Sequence, residues 1–148
     1  MNKKYLIVFS TAFFVILLDQ FTKFLIRNNL KFGDSIPIIK NIFHITYVTN
    51  TGSAFGLFKG FNLIFVLFSI AVIIGIFYYL TRKINEKEKF LQLAIGLLLG
   101  GTIGNMTDRI LYGAVTDFLD FRIWPVFNVA DSAITISVII LIILLWKK

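Results

Sequence analysis

Residues 113–148 read GAVTDFLDFRIWPVFNVADSAITISVIILIILLWKK. Asp117, Asp120 and Asp131 lead directly into an apolar run that continues to Trp146. Taken from Val126 to Trp146, that run has the length needed to cross a hydrocarbon core of ~30 Å. Carboxylates are costly at the edge of such a core, and an ionisable group inside a membrane segment points to function by default. The stretch therefore predicts a membrane fold and asks what its acids do there.

The rest of the chain has the same character. Of its 148 residues 57% are hydrophobic and 16% charged, whereas an average soluble domain is ~25% charged. The mean hydropathy is +0.84. Apolar runs predict four spanning helices over about 5–26, 61–80, 90–107 and 126–146, so residues 1–148 are expected to form a single integral membrane domain of all-α class. The start, MNKK followed by apolar residues, is like a signal peptide. The residues that follow, DQFTKFLIRNN, hold no small-x-small cleavage site, so this helix is expected to be retained.

The net charge is +7. The basic residues lie beside apolar runs, which fits topology and anionic lipid headgroups and gives no reason to expect a nucleic-acid partner. Lys3 and Lys4, then Arg82, Lys83, Lys87 and Lys89, then Lys147 and Lys148 crowd into short segments. They predict cytoplasmic termini and a cytoplasmic loop between the second and third helices. Two longer segments, 28–60 and 108–125, then face outward. In the first, Phe43, Ile45 and Tyr47 alternate with His44, Thr46 and Val48, which reads as a short strand or hairpin. TNTGSAFG after it reads as a turn, and Asp34 in KFGDS as a turn residue. There is no cysteine and one histidine, which excludes disulfides, thiolate catalysis and His-rich or Cys-based metal sites.

Several polar residues share helical faces. Asp19 and Lys23 are four apart and can form an ion pair, either as an interfacial anchor or as support for a site. Gly96, Gly100 and Gly104 form a stripe of small residues of the kind that lets helices approach closely in lipid. Gly101, Asn105 and Asp108 form a second row leading outward, and Asn128, Asp131 and Thr135 a third. If Asp117 returns beside Asp131, two carboxylates share one pocket and one of them holds a proton near neutral pH. Such a pair can activate water against a carbonyl carbon and protonate the leaving nitrogen. Spacing alone leaves helix caps and an ion path open as alternatives.

Five elements in order resemble one known family, the bacterial lipoprotein signal peptidases, or signal peptidases II. DQFTK carries its D-x-x-T-K element at Asp19 and Lys23. TNTGSAFGLF carries N-x-G-x-A-F at Asn50, Gly52, Ala54 and Phe55, with Ser53 where the family often has alanine. GGTIGNMTDR carries G-G-x-x-G-N-x-x-D-R at Gly100, Gly101, Gly104, Asn105, Asp108 and Arg109. GAVTDF carries G-x-V-x-D-F at Gly113, Val115, Asp117 and Phe118, and FNVAD carries F-N-x-A-D at Phe127, Asn128, Ala130 and Asp131.

The resemblance implies a membrane aspartic endopeptidase that cuts a prolipoprotein just before a diacylglyceryl-modified cysteine. It implies Asp117 and Asp131 as the catalytic pair. Asn50, Asn105, Asp108, Arg109 and Asn128 would surround the pair or hold substrate, Asp19 and Lys23 would support that end of the site, and Gly52, Gly101 and Ala130 belong to the same supporting set. It further implies an extracytoplasmic β-structured cradle with an outer loop, a site at the outer face of the bacterial cytoplasmic membrane, lipid and globomycin-type inhibitors as partners, and no cofactor or metal. A monomer is expected. Asp120 is then expected to be a surface or loop residue. A Mg²⁺-dependent lipid-modifying transferase would want more closely spaced acids of the Asp117–Asp120 kind, and a proton-coupled transporter would want its acid near the bilayer midplane.

Overall fold

A computed structural model describes residues 3–52, 60–82 and 88–146. The elements run α1 (Lys3–Asn29), β1 (Ser35–Ile39), β2 (Phe43–Asn50), α2 (Asn62–Arg82), α3 (Lys89–Tyr112), β3 (Val115–Asp120) and α4 (Val129–Trp146). α1, α2 and α3 are each long and apolar enough to cross a membrane; α4 is apolar but shorter, over Val129–Leu144 within its described side chains.

α3 stands at the centre. The apolar window of α3 is 61% buried, against 22% for α1 and 17% for α2. The glycine stripe explains how α1 closes on it. A Cβ at Gly96 would lie 2.8 Å from the Val8 carbonyl oxygen, and one at Gly100 would lie 2.8 Å from that of Ala12. Only hydrogen at these positions lets the two backbones touch. Val8, Ala12, Ile76, Leu80, Leu91, Ile95 and Leu99 fill the core where α1, α2 and α3 meet. α4 is tied to α3 by the Ser137 hydroxyl, which donates to the Ala94 carbonyl at 2.7 Å. Outside this core the helices carry exposed Phe13, Phe14, Leu67, Phe68 and Ile139. Such a surface suits lipid and not water.

The expected hairpin is present. β1 and β2 pair antiparallel, with Ile36 opposite Ile45 and Pro37 opposite His44. Asn41 makes the reversal with φ 63, in the left-handed region that asparagine tolerates. Asp34 is the turn residue read from KFGDS: its carboxylate accepts the Lys31 N–H at 2.8 Å. The turn expected from TNTGSAFG falls largely outside the described residues.

Three differences from expectation bear on the site. α3 runs through Asp108 and Arg109 to Tyr112, five residues past the expected end, and stops where Gly113 takes the left-handed conformation with φ 72, a common helix C-terminus. The segment after it, expected to be outer loop, forms a third strand, β3, in a sheet ordered β1-β2-β3. β3 pairs with β2, with Asp117 opposite Val48 and Asp120 opposite His44. α4 begins at Val129, not Val126, because Phe127 is still bridged to Leu119 of β3. The fold is therefore helical with a small three-stranded sheet at one end of the bundle.

Candidate active site

α1, α3, β3 and the start of α4 bring polar side chains to one place. Asp19, Lys23 and Arg27 lie four residues apart along one face of α1. Asp19 and Lys23 are fully buried and 2.8 Å apart. The other oxygen of Asp19 accepts the Ala130 N–H at 2.9 Å. A carboxylate in α1 thus satisfies a free N–H in the first turn of α4, at the positive end of that helix dipole. Gly104 makes room for it: a Cβ there would come 2.6 Å from Asp19 Oδ2. Gly101 plays the same part toward α4, since its Cβ would come 2.6 Å from the Ala130 carbonyl.

Asn128 and Asp131 cap α4 reciprocally. The Asp131 N–H donates to Asn128 Oδ1 at 2.9 Å, and the Asn128 N–H donates to Asp131 Oδ2 at 3.3 Å. This is a capping box with an aspartate in the third position. It leaves the Asn128 amide nitrogen free to reach elsewhere. Asn128 Nδ2 donates to Asp117 Oδ1 at 2.7 Å and is also within reach of Asn105 Oδ1 at 3.1 Å. Asn105 Nδ2 in turn donates to Asp131 Oδ1 at 2.7 Å. Lys23 Nζ donates to Asn105 Oδ1 at 3.0 Å, so the cation fixes which end of that amide faces Asp131. Two asparagines therefore link Asp117 and Asp131 into one network.

Asp117 is 2% exposed. Burial, and next the charge of Asp131, push its carboxyl up to about 7 against the hydrogen bonds of Asn128 and Asn50 and the charge of Lys23. It is thus a carboxyl that changes protonation near neutral pH. Asp108 is also buried and accepts the Thr116 N–H at 2.9 Å, which ties β3 to α3. Arg109 reaches back to the Gly52 carbonyl at 3.3 Å and lies 5.0 Å over the Phe65 ring. Asn50 accepts the Gly52 N–H at 2.9 Å. The site residues read from the sequence and lying within the described chain, namely Asp19, Lys23, Asn50, Gly52, Gly101, Asn105, Asp108, Arg109, Asp117, Asn128, Ala130 and Asp131, gather in this region. Ser53, Ala54 and Phe55 of the N-x-G-x-A-F element lie outside the described residues. Beside Asp131 opens an apolar groove of about 700 Å³, walled by Phe121, Trp124, Phe127, Ile134 and Ile136; Thr135 faces this groove.

Asp120 is not the surface or loop residue expected. It is 5% exposed and ends β3. Its carboxylate accepts the Thr46 hydroxyl at 2.7 Å, the Arg122 N–H at 2.8 Å and the Arg122 guanidinium at 3.0 Å. Burial alone would raise its pKa, but these bonds outweigh it and hold the carboxyl below its ordinary value. The reason is the strand itself: β3 continues far enough to bring Asp120 against β2. Residues Gln20, Arg27 and Thr116, absent from the sequence-derived set, also enter the network. Gln20 donates to Asp108 at 3.2 Å and Arg27 to Thr116 Oγ1 at 3.0 Å. The signal for Arg27 in the sequence is its position four residues after Lys23.

An apolar helical bundle with a buried carboxylate network at one end defines a multi-pass membrane protein. The chain belongs to the signal peptidase (SPase) II family, whose model matches residues 11–147, and it is a signal peptidase of the aspartic type. It is 46% identical over 143 residues to the lipoprotein signal peptidase of Halothermothrix orenii, covering 95% of this chain and 96% of that one. With the lipoprotein signal peptidase of Staphylococcus aureus it shares 41% identity over 153 residues, covering 99% and 93%. A bacterial membrane enzyme solved by the in meso method superposes with a TM-score of 0.89 at 38% identity, covering 99% of this chain and 89% of the other. A second such structure gives 0.86 at 38% identity, covering 100% and 95%.

Proposed function

We propose that Asp117 and Asp131 are the catalytic pair with which this peptidase removes the signal peptide from a diacylglyceryl-modified prolipoprotein, cutting just before the lipidated cysteine. The observation that carries the reading is the amide link. Asn128 holds Asp117 and Asn105 holds Asp131, each at 2.7 Å, and Asn128 also reaches Asn105 at 3.1 Å, so the two carboxyls are tied into one network.

With Asp117 pushed up to about 7, the pair holds one shared proton at rest. The ionised carboxylate takes a proton from water as the water oxygen attacks the scissile carbonyl carbon. Its protonated partner gives its proton to the carbonyl oxygen. As the tetrahedral intermediate collapses, the C–N bond breaks and the nitrogen receives a proton from the pair, leaving a signal-peptide carboxylate and a free cysteine amine. Lys23 and Asp19 support Asn105 and the start of α4. Asp108 holds β3, and Asn50, Gly52 and Arg109 border the place where the peptide lies. The apolar groove beside Asp131 suits a lipid-bearing substrate.

In this reading α4 is the fourth crossing, the single domain spans residues 1–148, and the three-stranded sheet is the outer cradle. The termini face the cytoplasm, the site faces outward from the bacterial cytoplasmic membrane, and the enzyme acts as a monomer open to globomycin-type inhibitors. The test is cleavage of a lipidated precursor by purified enzyme with EDTA present. Asp117→Asn and Asp131→Asn each abolish cleavage while the protein still inserts and elutes normally. Activity in either variant, or loss of parental activity on chelation, overturns the proposal.

A further inference from the structure

Thr116, the residue before Asp117, has all three of its polar atoms tied to different helices. Its N–H donates to Asp108 Oδ2 of α3 at 2.9 Å. Its carbonyl accepts Asn128 Nδ2, at the start of α4, at 3.3 Å. Its hydroxyl accepts Arg27 Nη1 of α1 at 3.0 Å. Arg27 also pairs with Asp108 at 3.4 Å and lies 4.3 Å over the Tyr112 ring. Its side chain is only 16% exposed, which is too enclosed for a charge that serves only to contact headgroups or solvent.

We propose that Arg27 is a positioning residue for the reaction: by bridging Thr116 and Asp108 it sets the depth at which β3 presents Asp117. The inference rests on the reading that Asp117 reacts. The other two ties cannot do this alone. Asp108 is also held by Gln20 and Lys23, so the carboxylate stays in place without Arg27. The Thr116 hydroxyl has no partner other than Arg27 among the described residues. Without that bond β3 keeps its pairing with β2 and its bridge to Phe127 at Leu119, but Thr116 loses its hydroxyl tie to α1 and can tilt about its ties to Asp108 and Asn128. Asp117 would then shift relative to Asn128 and Asp131, and a small misplacement of a reacting group costs rate more than binding.

The experiment measures kcat and KM for cleavage of a lipidated precursor by purified full-length enzyme and by Arg27→Met, Arg27→Lys, Thr116→Val and Arg27→Met/Thr116→Val. Lys40→Ala is the charge-loss control, being exposed and distant from the network. Loss of a charged hydrogen bond predicts a fall in kcat of about tenfold or more in Arg27→Met, with KM changed less than about threefold. Arg27→Lys recovers part of kcat because an ammonium can still reach one of the two acceptors. Thr116→Val lowers kcat in the same sense, and the double variant is no worse than the more impaired single one, as expected for two residues acting through one contact. Lys40→Ala matches the parent.

Parental kcat in Arg27→Met, strict additivity in the double variant, or an equal loss in Lys40→Ala overturns the inference. Should Arg27→Met fail to fold in detergent, Thr116→Val decides: a folded Thr116→Val enzyme with parental kcat overturns it. Asp117→Asn is assayed alongside. Activity in that variant sinks the underlying reading, whereas an inactive Asp117→Asn with an unimpaired Arg27→Met sinks only the role of Arg27.

Discussion

Asp117 and Asp120 stand three residues apart in the same strand, and both are nearly excluded from solvent, at 2% and 5% exposed. Their environments differ in how deeply protein packs around each carboxyl, which is far more for Asp117, and in the supply of close donors. Asp120 faces β2 and the turn after β3, where a hydroxyl, an N–H and a guanidinium all donate to it. Asp117 faces the helices, where neutral amides donate to it, another carboxylate repels its charge and Lys23 acts on it only through its charge. A two-residue period sends positions of odd separation to opposite faces of a strand. Low solvent exposure alone therefore says little about an acid: one end of β3 is locked as an anion and the other, deeper end is poised to exchange a proton.

The comparison can be broken most forcefully at Asp117. Asp117→Asn is expected to cut kcat by about a thousandfold or more, in line with loss of a general acid or base, measured on a lipidated precursor. Next is the packing that lets helices reach the site. Gly104→Ala would drive a methyl to 2.6 Å from the Asp19 carboxylate. Overpacking of this kind costs about 1–3 kcal/mol, so a lower melting temperature and reduced activity are expected together.

The two acids should also respond to pH with opposite sign. Asp117 rises from 3.8 unfolded to about 7 folded, so its contribution to stability is complete below its unfolded value and is lost as pH rises through about 7. Asp120 is lowered, so its contribution is present above its unfolded value and is lost as pH falls through its folded one. Thermal unfolding in detergent across this range, for the parent against Asp117→Asn and Asp120→Asn, separates the two. Cleavage by the parent should decline as pH rises through about 7, because the acid loses its proton. The smallest effect is expected at the locked end: Asp120→Asn should keep kcat within about threefold, since an amide can still accept from Thr46 and Arg122 but forfeits the charge. A dead Asp120→Asn enzyme would erase the distinction.

Much of the site was readable because its residues fall at helical spacing or in short ordered motifs. Asp19 with Lys23, Gly101 with Asn105, and Asn128 with Asp131 declare themselves within four residues of each other. β3 did not. Strand VTDFLD is buried almost throughout, so it lacks the alternation that marks a half-exposed strand, and its two acids resemble loop chemistry. Asp120 hides for the same reason: its partner Thr46 lies 74 residues away, and nothing local announces it. Asp108 and Arg109 look like the end of α3, while the stop signal is Gly113. Arg27, a cation near a helix end, has a ready topological explanation that masks its part in the site.

One hydrogen bond has a consequence for biogenesis. Asp19 meets the Ala130 N–H across 111 residues of sequence. A nascent chain that has inserted only α1 carries Asp19 and Lys23 in the membrane with each other as partners, but the Ala130 N–H that donates to the second Asp19 oxygen has not yet been synthesised. The helix that supplies it also delivers Asp131, so the polar end of α1 and the network around Asp131 are completed in one event.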